Sequence, residues 1–146
     1  MSAGKIKILF LCTGNSCRSQ MAEGFAKYYF PHLFEVFSAG TKPEKLNPIA
    51  VKVMKEIGID ISKQYSKNVK QLMDIDFDYV ITLCGDAKEN CPIFPKKTKN
   101  YHQGFKDPAK AKGSYEEIIN VYRTVRDEIK NFILSLPEFL KIKVQN

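Results

Sequence analysis

The chain has no tryptophan, two histidines and four cysteines among 146 residues. It also lacks a long apolar run. The stretch Ile6 to Leu11 near its start is too short for the hydrophobic core of a secretion signal or for a membrane span. The expectation is a cytoplasmic protein with no membrane partner. No internal repeat, linker or low-complexity segment interrupts the chain. Its length suits one domain able to bury a core without staples. We therefore expect a single domain over 1–146, with its core at about 5–136 and a short C-terminal extension.

Acidic residues are in the minority: 16 Asp plus Glu stand against 23 Lys plus Arg, a net charge of +7. Lys96, Lys97 and Lys99 form one basic cluster, and Lys106, Lys110 and Lys112 another. These could form an electrostatic funnel for anions or a solvated lysine-rich surface. The second reading is preferred, because surface charge alone says little about function. The basic residues are scattered and no aromatic-basic signature accompanies them, so no nucleic-acid partner is expected.

In a cytosolic chain, Cys12, Cys17, Cys84 and Cys91 suit catalysis, redox chemistry or metal binding better than structural bridges. Their gaps are wider than the paired spacings of a structural zinc site, so no metal is expected.

Four strands alternate with helices along the chain. Ile6 to Leu11 reads as a buried parallel strand. A helix follows from about Ser19, with Met21, Ala22, Phe25, Ala26 and Tyr29 facing the core, and ends before Pro31. Phe34 to Ser38 is a second strand, closed by Ala39-Gly40. Asn47-Pro48 reads as an N-cap with proline at the first helical position. Val51, Met54 and Ile57 form that helix's apolar stripe, and Gly58 stops it. Phe77 to Leu83 is a third strand, and Lys99 to His102 a short fourth. Ser114 to Glu117 is a capping box opening the longest helix. Its apolar face is Ile118, Val121, Val125, Ile129, Phe132 and Leu136, and the tail after Pro137 is a loosely attached extension. The pattern predicts an α/β fold: an open parallel sheet of about four strands with helices on both faces.

Between the first strand and its helix lies Cys12-Thr13-Gly14-Asn15-Ser16-Cys17-Arg18-Ser19. A loop in this position can wrap its N–H groups around a tetrahedral oxyanion, with a helix N-terminus behind it. The same positive environment favours the thiolate of Cys12, placing a nucleophile where the anion binds. Arg18 can hold two oxygens of that anion with its planar fork. Gly14 is expected to supply backbone freedom and Asn15 to tie the loop through its amide. Ser19 either donates to the Cys12 sulfur or starts the helix. Cys17 either packs within the loop or pairs with Cys12 under oxidation.

Asp107-Pro108 favours a turn that presents its carboxyl group outward, and thiolate displacement needs an acid for the departing oxygen. Cys84 closes the third strand, at the sheet edge where Cys12 closes the first and where open α/β sheets bind ligands. It can also be read as a small buried hydrophobe. Cys91, before Pro92, suits that reading poorly. A bond between the two requires residues 85–90 to bend back.

The segment Leu11 to Gly24 resembles the active-site segment of the thioredoxin-coupled arsenate reductases, which share the low-molecular-weight tyrosine phosphatase fold. The likeness extends through Ser38-Ala39-Gly40, Thr82-Leu83-Cys84, Cys91-Pro92, Asp107-Pro108-Ala109 and Val125 to Ile129. It implies a relay. Cys12 attacks arsenate held by residues 13–19, and Asp107 protonates the leaving oxygen. Cys84 attacks Cys12 and releases arsenite, Cys91 attacks Cys84, and thioredoxin reduces the resulting disulfide. It implies no cofactor, and the chain is expected to act as a monomer. Some relatives bind potassium near this loop through positions matching Asn15, Glu23 and Ser38, with a threonine and an aspartate that are Tyr65 and Lys67 here. The exchange argues against a bound cation and suggests that Lys67 supplies the charge beside Glu23.

Two other readings share the loop. A low-molecular-weight protein tyrosine phosphatase would hydrolyse a phospho-cysteine at Cys12, with weak activity of that kind able to coexist with reduction. A non-catalytic anion- or phosphoprotein-binding module on the same fold is opposed by the presence together of the nucleophile Cys12, Arg18 and the acid Asp107.

Overall fold

The computed structural model describes residues 4–85, 94 and 96–142. Strands β1 (Ile6–Cys12), β2 (Phe34–Gly40), β3 (Tyr79–Cys84) and β4 (Lys99–Phe105) form one sheet in the order β2-β1-β3-β4. Every pairing is parallel. Among the described residues four α-helices accompany it: α1 (Arg18–Tyr29), α2 (Pro48–Lys55), α3 (Tyr115–Leu134) and α4 (Leu136–Phe139).

The core has two parts. Ile8 and Phe10 of β1, with Ile81 and Leu83 of β3, face a cluster built with α1, α2, α3 and α4. Leu9 and Leu11 point the other way, into a smaller cluster with Val80, Phe77, Phe94 and Val69 of the 3₁₀ helix Val69–Leu72. The continuous apolar run of β1 is thus explained by burial on both faces. Each fully buried Ile, Leu or Phe contributes about 1.5–3 kcal/mol relative to exposure.

Local chemistry sets the helix ends. Asn47 Oδ1 accepts from the Ile49 and Ala50 N–H groups at 2.9 and 3.2 Å, capping α2. Gly58 ends that helix at φ +84°, while Gly58 N–H donates to Lys55 O and Ile59 N–H to Met54 O. Ser114 and Glu117 exchange 3.1 Å hydrogen bonds, closing the capping box of α3.

Three expectations change. The buried face of α2 is Ala50, Val53 and Met54, with Val51 and Ile57 only partly buried. The first half of α3 buries Ile119 and Tyr122 instead of Ile118 and Val121, because packing against α1 and α2 sets the helix rotation. The chain beyond Pro137 is packed as far as residue 142: Leu136 and Leu140 are buried, and Phe139 stacks edgewise on Phe132 and Tyr101.

From β1 the chain crosses to one side to form β2, and later to the other side to form β3. The carboxyl end of β1 is therefore the point where strand order reverses, the crevice in which open α/β sheets bind ligands. Cys12 ends β1 at that point. Among the described residues no helix is long and apolar enough to cross a membrane.

Candidate active site

Residues 12–18 line a cavity of about 310 Å³, together with Lys42, Glu44, Asp107, Ala109 and Lys110. The loop's shape follows from where its carbonyls go. Thr13 O accepts from Lys42 N–H at 3.0 Å, Gly14 O from Glu44 N–H at 2.8 Å and Ser16 O from Asn47 N–H at 2.9 Å. Asn15 O accepts from Gln20 Nε2 and Ser66 Oγ at 2.8 and 2.7 Å. Four successive carbonyls are committed to the surrounding chain, so the loop's N–H groups are what it offers to an anion in the cavity. Gly40 makes the wrap possible: a Cβ there would sit 2.3 Å from Thr13 O.

Behind the loop, α1 begins at Arg18 with no side-chain cap and no acidic residue in its first turn. Its N-terminal N–H groups and partial positive charge are directed at the same cavity.

Asn15 is the loop's fastener. It is 1% exposed and holds φ +48°, a left-handed conformation that asparagine tolerates better than most residues. Its Nδ2 donates to Ser19 Oγ and Ser38 Oγ, each at 2.9 Å, and its Oδ1 accepts from Lys67 N–H at 2.8 Å. Asn15 thus ties the loop with its amide as expected. The backbone freedom assigned to Gly14 is instead exercised here, since Gly14 is absent from the positive-φ residues. Ser19 starts no cap, and its hydroxyl accepts from Asn15, which leaves the Ser19 hydrogen for another acceptor.

Ser38 also donates to the buried carboxylate of Glu23, which accepts a further hydrogen bond from Lys27 Nζ. Lys67 Nζ lies 3.9 Å from Glu23 Oε1, donates to Tyr65 O at 2.7 Å and stands 4.4 Å from the centroid of the Tyr65 ring. The sequence placed Lys67 beside Glu23, and the geometry agrees. Burial pulls the Lys67 ammonium below the ordinary lysine range, and Glu23 opposes that shift.

Arg18 is 5% exposed. Its Nη1 donates to Phe105 O at 2.9 Å, and its Nη2 lies 3.7 Å from Asp107 Oδ2. The other oxygen of Asp107 accepts from Ala109 N–H at 3.0 Å, at the head of the 3₁₀ helix Pro108–Lys110. Asp-Pro therefore forms the expected turn and brings its carboxyl to the cavity.

Cys12, Cys17 and Cys84 are buried thiols. Burial, then the nearby Asp107, pushes the Cys17 thiol far up, with Arg18 opposing, so Cys17 is a packed neutral group at pH 7. Leu11 is in register with Thr82, so Cys12 and Cys84 leave neighbouring strands at the same edge of the sheet. Cys91 lies outside the described residues.

Sequence reasoning missed the segment after β2. Lys42, Glu44 and Asn47 reach the loop through backbone bonds that no side-chain pattern encodes. It also missed Tyr122, whose hydroxyl accepts from Asn47 Nδ2 at 2.9 Å and braces that segment against α3.

Comparison with known proteins gives a consistent result. The family model described as low molecular weight phosphotyrosine protein phosphatase matches residues 7–146. An arsenate reductase of Shouchella clausii is 56% identical over 122 residues, covering 84% of this chain and 88% of its own. A solved arsenate reductase in its phosphate-binding state superposes with a TM-score of 0.77 at 36% identity, over 94% of this chain and 99% of the other. A thioredoxin-dependent arsenate reductase of Corynebacterium glutamicum superposes with a TM-score of 0.68 at 25% identity, over 97% of this chain and 64% of that one. With a cysteine loop at the switch point of a four-stranded parallel sheet, the chain belongs to the low molecular weight phosphotyrosine protein phosphatase family, grouping with its arsenate reductase members.

Proposed function

We propose that this protein is an arsenate reductase that converts arsenate to arsenite through Cys12, Cys84 and Cys91 and is regenerated by thioredoxin. The observation that carries the reading is the placement of two thiols, Cys12 and Cys84, at the ends of adjacent parallel strands beside the Arg18–Asp107 pair.

The chemistry balances as follows. Arsenate sits among the N–H groups of residues 13–19 with the Arg18 fork on two of its oxygens. The Cys12 thiolate forms an S–As bond, and an arsenic-bound hydroxyl leaves as water on taking one proton from Asp107. The Cys84 thiolate then attacks the Cys12 sulfur. The S–As bond breaks, its electron pair goes to arsenic, and arsenite departs from a Cys12–Cys84 disulfide. Attack by Cys91 on Cys84 restores the Cys12 thiolate and leaves a Cys84–Cys91 disulfide, which a thioredoxin dithiol reduces. Arsenic gains two electrons and the thiols supply them. A cytosolic location, where such dithiols are kept reduced, fits this cycle.

Hydrolysis of aryl phosphates is a side activity of the same site. It requires Cys12, Arg18 and Asp107, with water in place of Cys84. The test is a coupled assay in which thioredoxin is the sole reductant. Wild type turns over arsenate repeatedly, and Cys12→Ser loses both arsenate reduction and aryl phosphate hydrolysis. Cys91→Ser completes one turnover and stalls with Cys12 joined to Cys84. Repeated turnover by Cys91→Ser would contradict the relay.

A further inference from the structure

A carboxylate is an unexpected occupant of a cavity built for an anion, yet Glu44 lines it beside Lys42, Asp107 and Lys110. The placement is set by the backbone: Glu44 N–H donates to Gly14 O at 2.8 Å, which fixes the residue against the anion loop. Its carboxyl carbon lies 3.4 Å from where a Cβ on Gly14 would be. Among the described residues the Glu44 carboxylate takes part in no ion pair, so its charge reaches the cavity without a cation fastened to it. On its other side Glu44 borders an open groove of about 640 Å³ lined by Pro43, Leu46, Pro48, Val51 and Tyr65.

A carboxylate can only accept hydrogen bonds. It repels a ligand whose oxygens are all unprotonated and bonds to one that carries an O–H. Hydrogen arsenate and hydrogen phosphate each carry at least one O–H at neutral pH. Sulfate carries none. The dianion of a phosphate monoester carries an organic group on its fourth oxygen and has no O–H to offer. We propose that Glu44 is a specificity-determining residue that accepts a hydrogen bond from an O–H of the bound oxyanion. It thereby selects protonated tetrahedral oxyanions over sulfate and over phosphate monoesters. Two carboxyl groups then divide the cavity mouth: Asp107 donates a proton, and Glu44 reads whether the ligand has one. This inference rests on the oxyanion reading of the same cavity and is independent of the thiol relay.

The test is calorimetric titration of the reduced protein with sodium phosphate and with sodium sulfate at pH 7, for wild type, Glu44→Gln and Glu44→Ala. Glu44 is exposed, so both variants keep the fold. Wild type prefers phosphate, and both variants narrow the phosphate-to-sulfate affinity ratio by about tenfold, the effect of one charge-assisted hydrogen bond exchanged for repulsion. In the same variants kcat/KM for an aryl phosphate rises relative to arsenate. An affinity ratio unchanged from wild type overturns the inference. Failure of wild type to bind phosphate at all overturns the oxyanion reading and this inference with it, whereas loss of arsenate turnover alone touches only the relay.

Discussion

Arg18 Nη2 and Asp107 Oδ2 stand 3.7 Å apart, close enough to attract and too far for a hydrogen bond. Each is anchored separately, Arg18 by Phe105 O and Asp107 by Ala109 N–H. An oxyanion can therefore take up the Arg18 fork without dismantling either anchor, and the Asp107 carboxyl stays at the cavity mouth.

Asp107→Asn should slow arsenate reduction and aryl phosphate hydrolysis together, by roughly a hundredfold or more, the usual loss with a general acid. Steady-state kinetics on both substrates checks this. An unchanged rate on either would place the acid elsewhere.

Asn15→Ala removes hydrogen bonds to Ser19, Ser38 and the Lys67 N–H and puts alanine at φ +48°. The unsatisfied buried groups and the strained backbone should cost about 3 kcal/mol or more. Thermal denaturation should show a drop of about 6–12 °C for a chain of this size.

Lys67 fills the place beside Glu23 with its own ammonium, so exchanging potassium for sodium should leave both the melting temperature and the KM for arsenate unchanged. The folded-state pKa of Lys67 lies below its unfolded value. At alkaline pH between the two values the unfolded chain binds more protons at this group, so its contribution to stability rises with pH. Lys67→Met should abolish that rise, which urea unfolding at a series of alkaline pH values would measure. A substantial potassium effect on the wild type would contradict the assignment.

Cys17 stays protonated at neutral pH because it is buried. Cys17→Ala should retain arsenate reduction within a few-fold. Iodoacetamide at pH 7, followed by peptide mapping, should modify Cys12 and spare Cys17.

What was legible in the sequence was mostly local. The Asn47 cap and the Ser114–Glu117 box act over two or three residues, so the side chains announce them. The anion loop was equally visible, since cysteine, arginine and the flanking strand and helix are contiguous. Rotation of α3 was not, because apolar residues occupy both Ile118 and Ile119, and only packing decides which turns inward. β4 runs on to Phe105, past the expected end at His102, because Phe105 pairs with Cys84 across a register shift that takes in Gln103 and Gly104, residues that do not themselves favour a strand. Glu44 and Asn47 join the site through backbone hydrogen bonds across thirty residues, a link that neither periodicity nor motif records.

The central claim is that thiols of this chain carry two electrons to arsenic. It is tested most directly by a single turnover of fully reduced protein with arsenate, followed by disulfide mapping. The account predicts one arsenite released per chain and a Cys84–Cys91 disulfide. No arsenite and four thiols still reduced, alongside brisk aryl phosphate hydrolysis, would contradict it and make the protein a phosphatase.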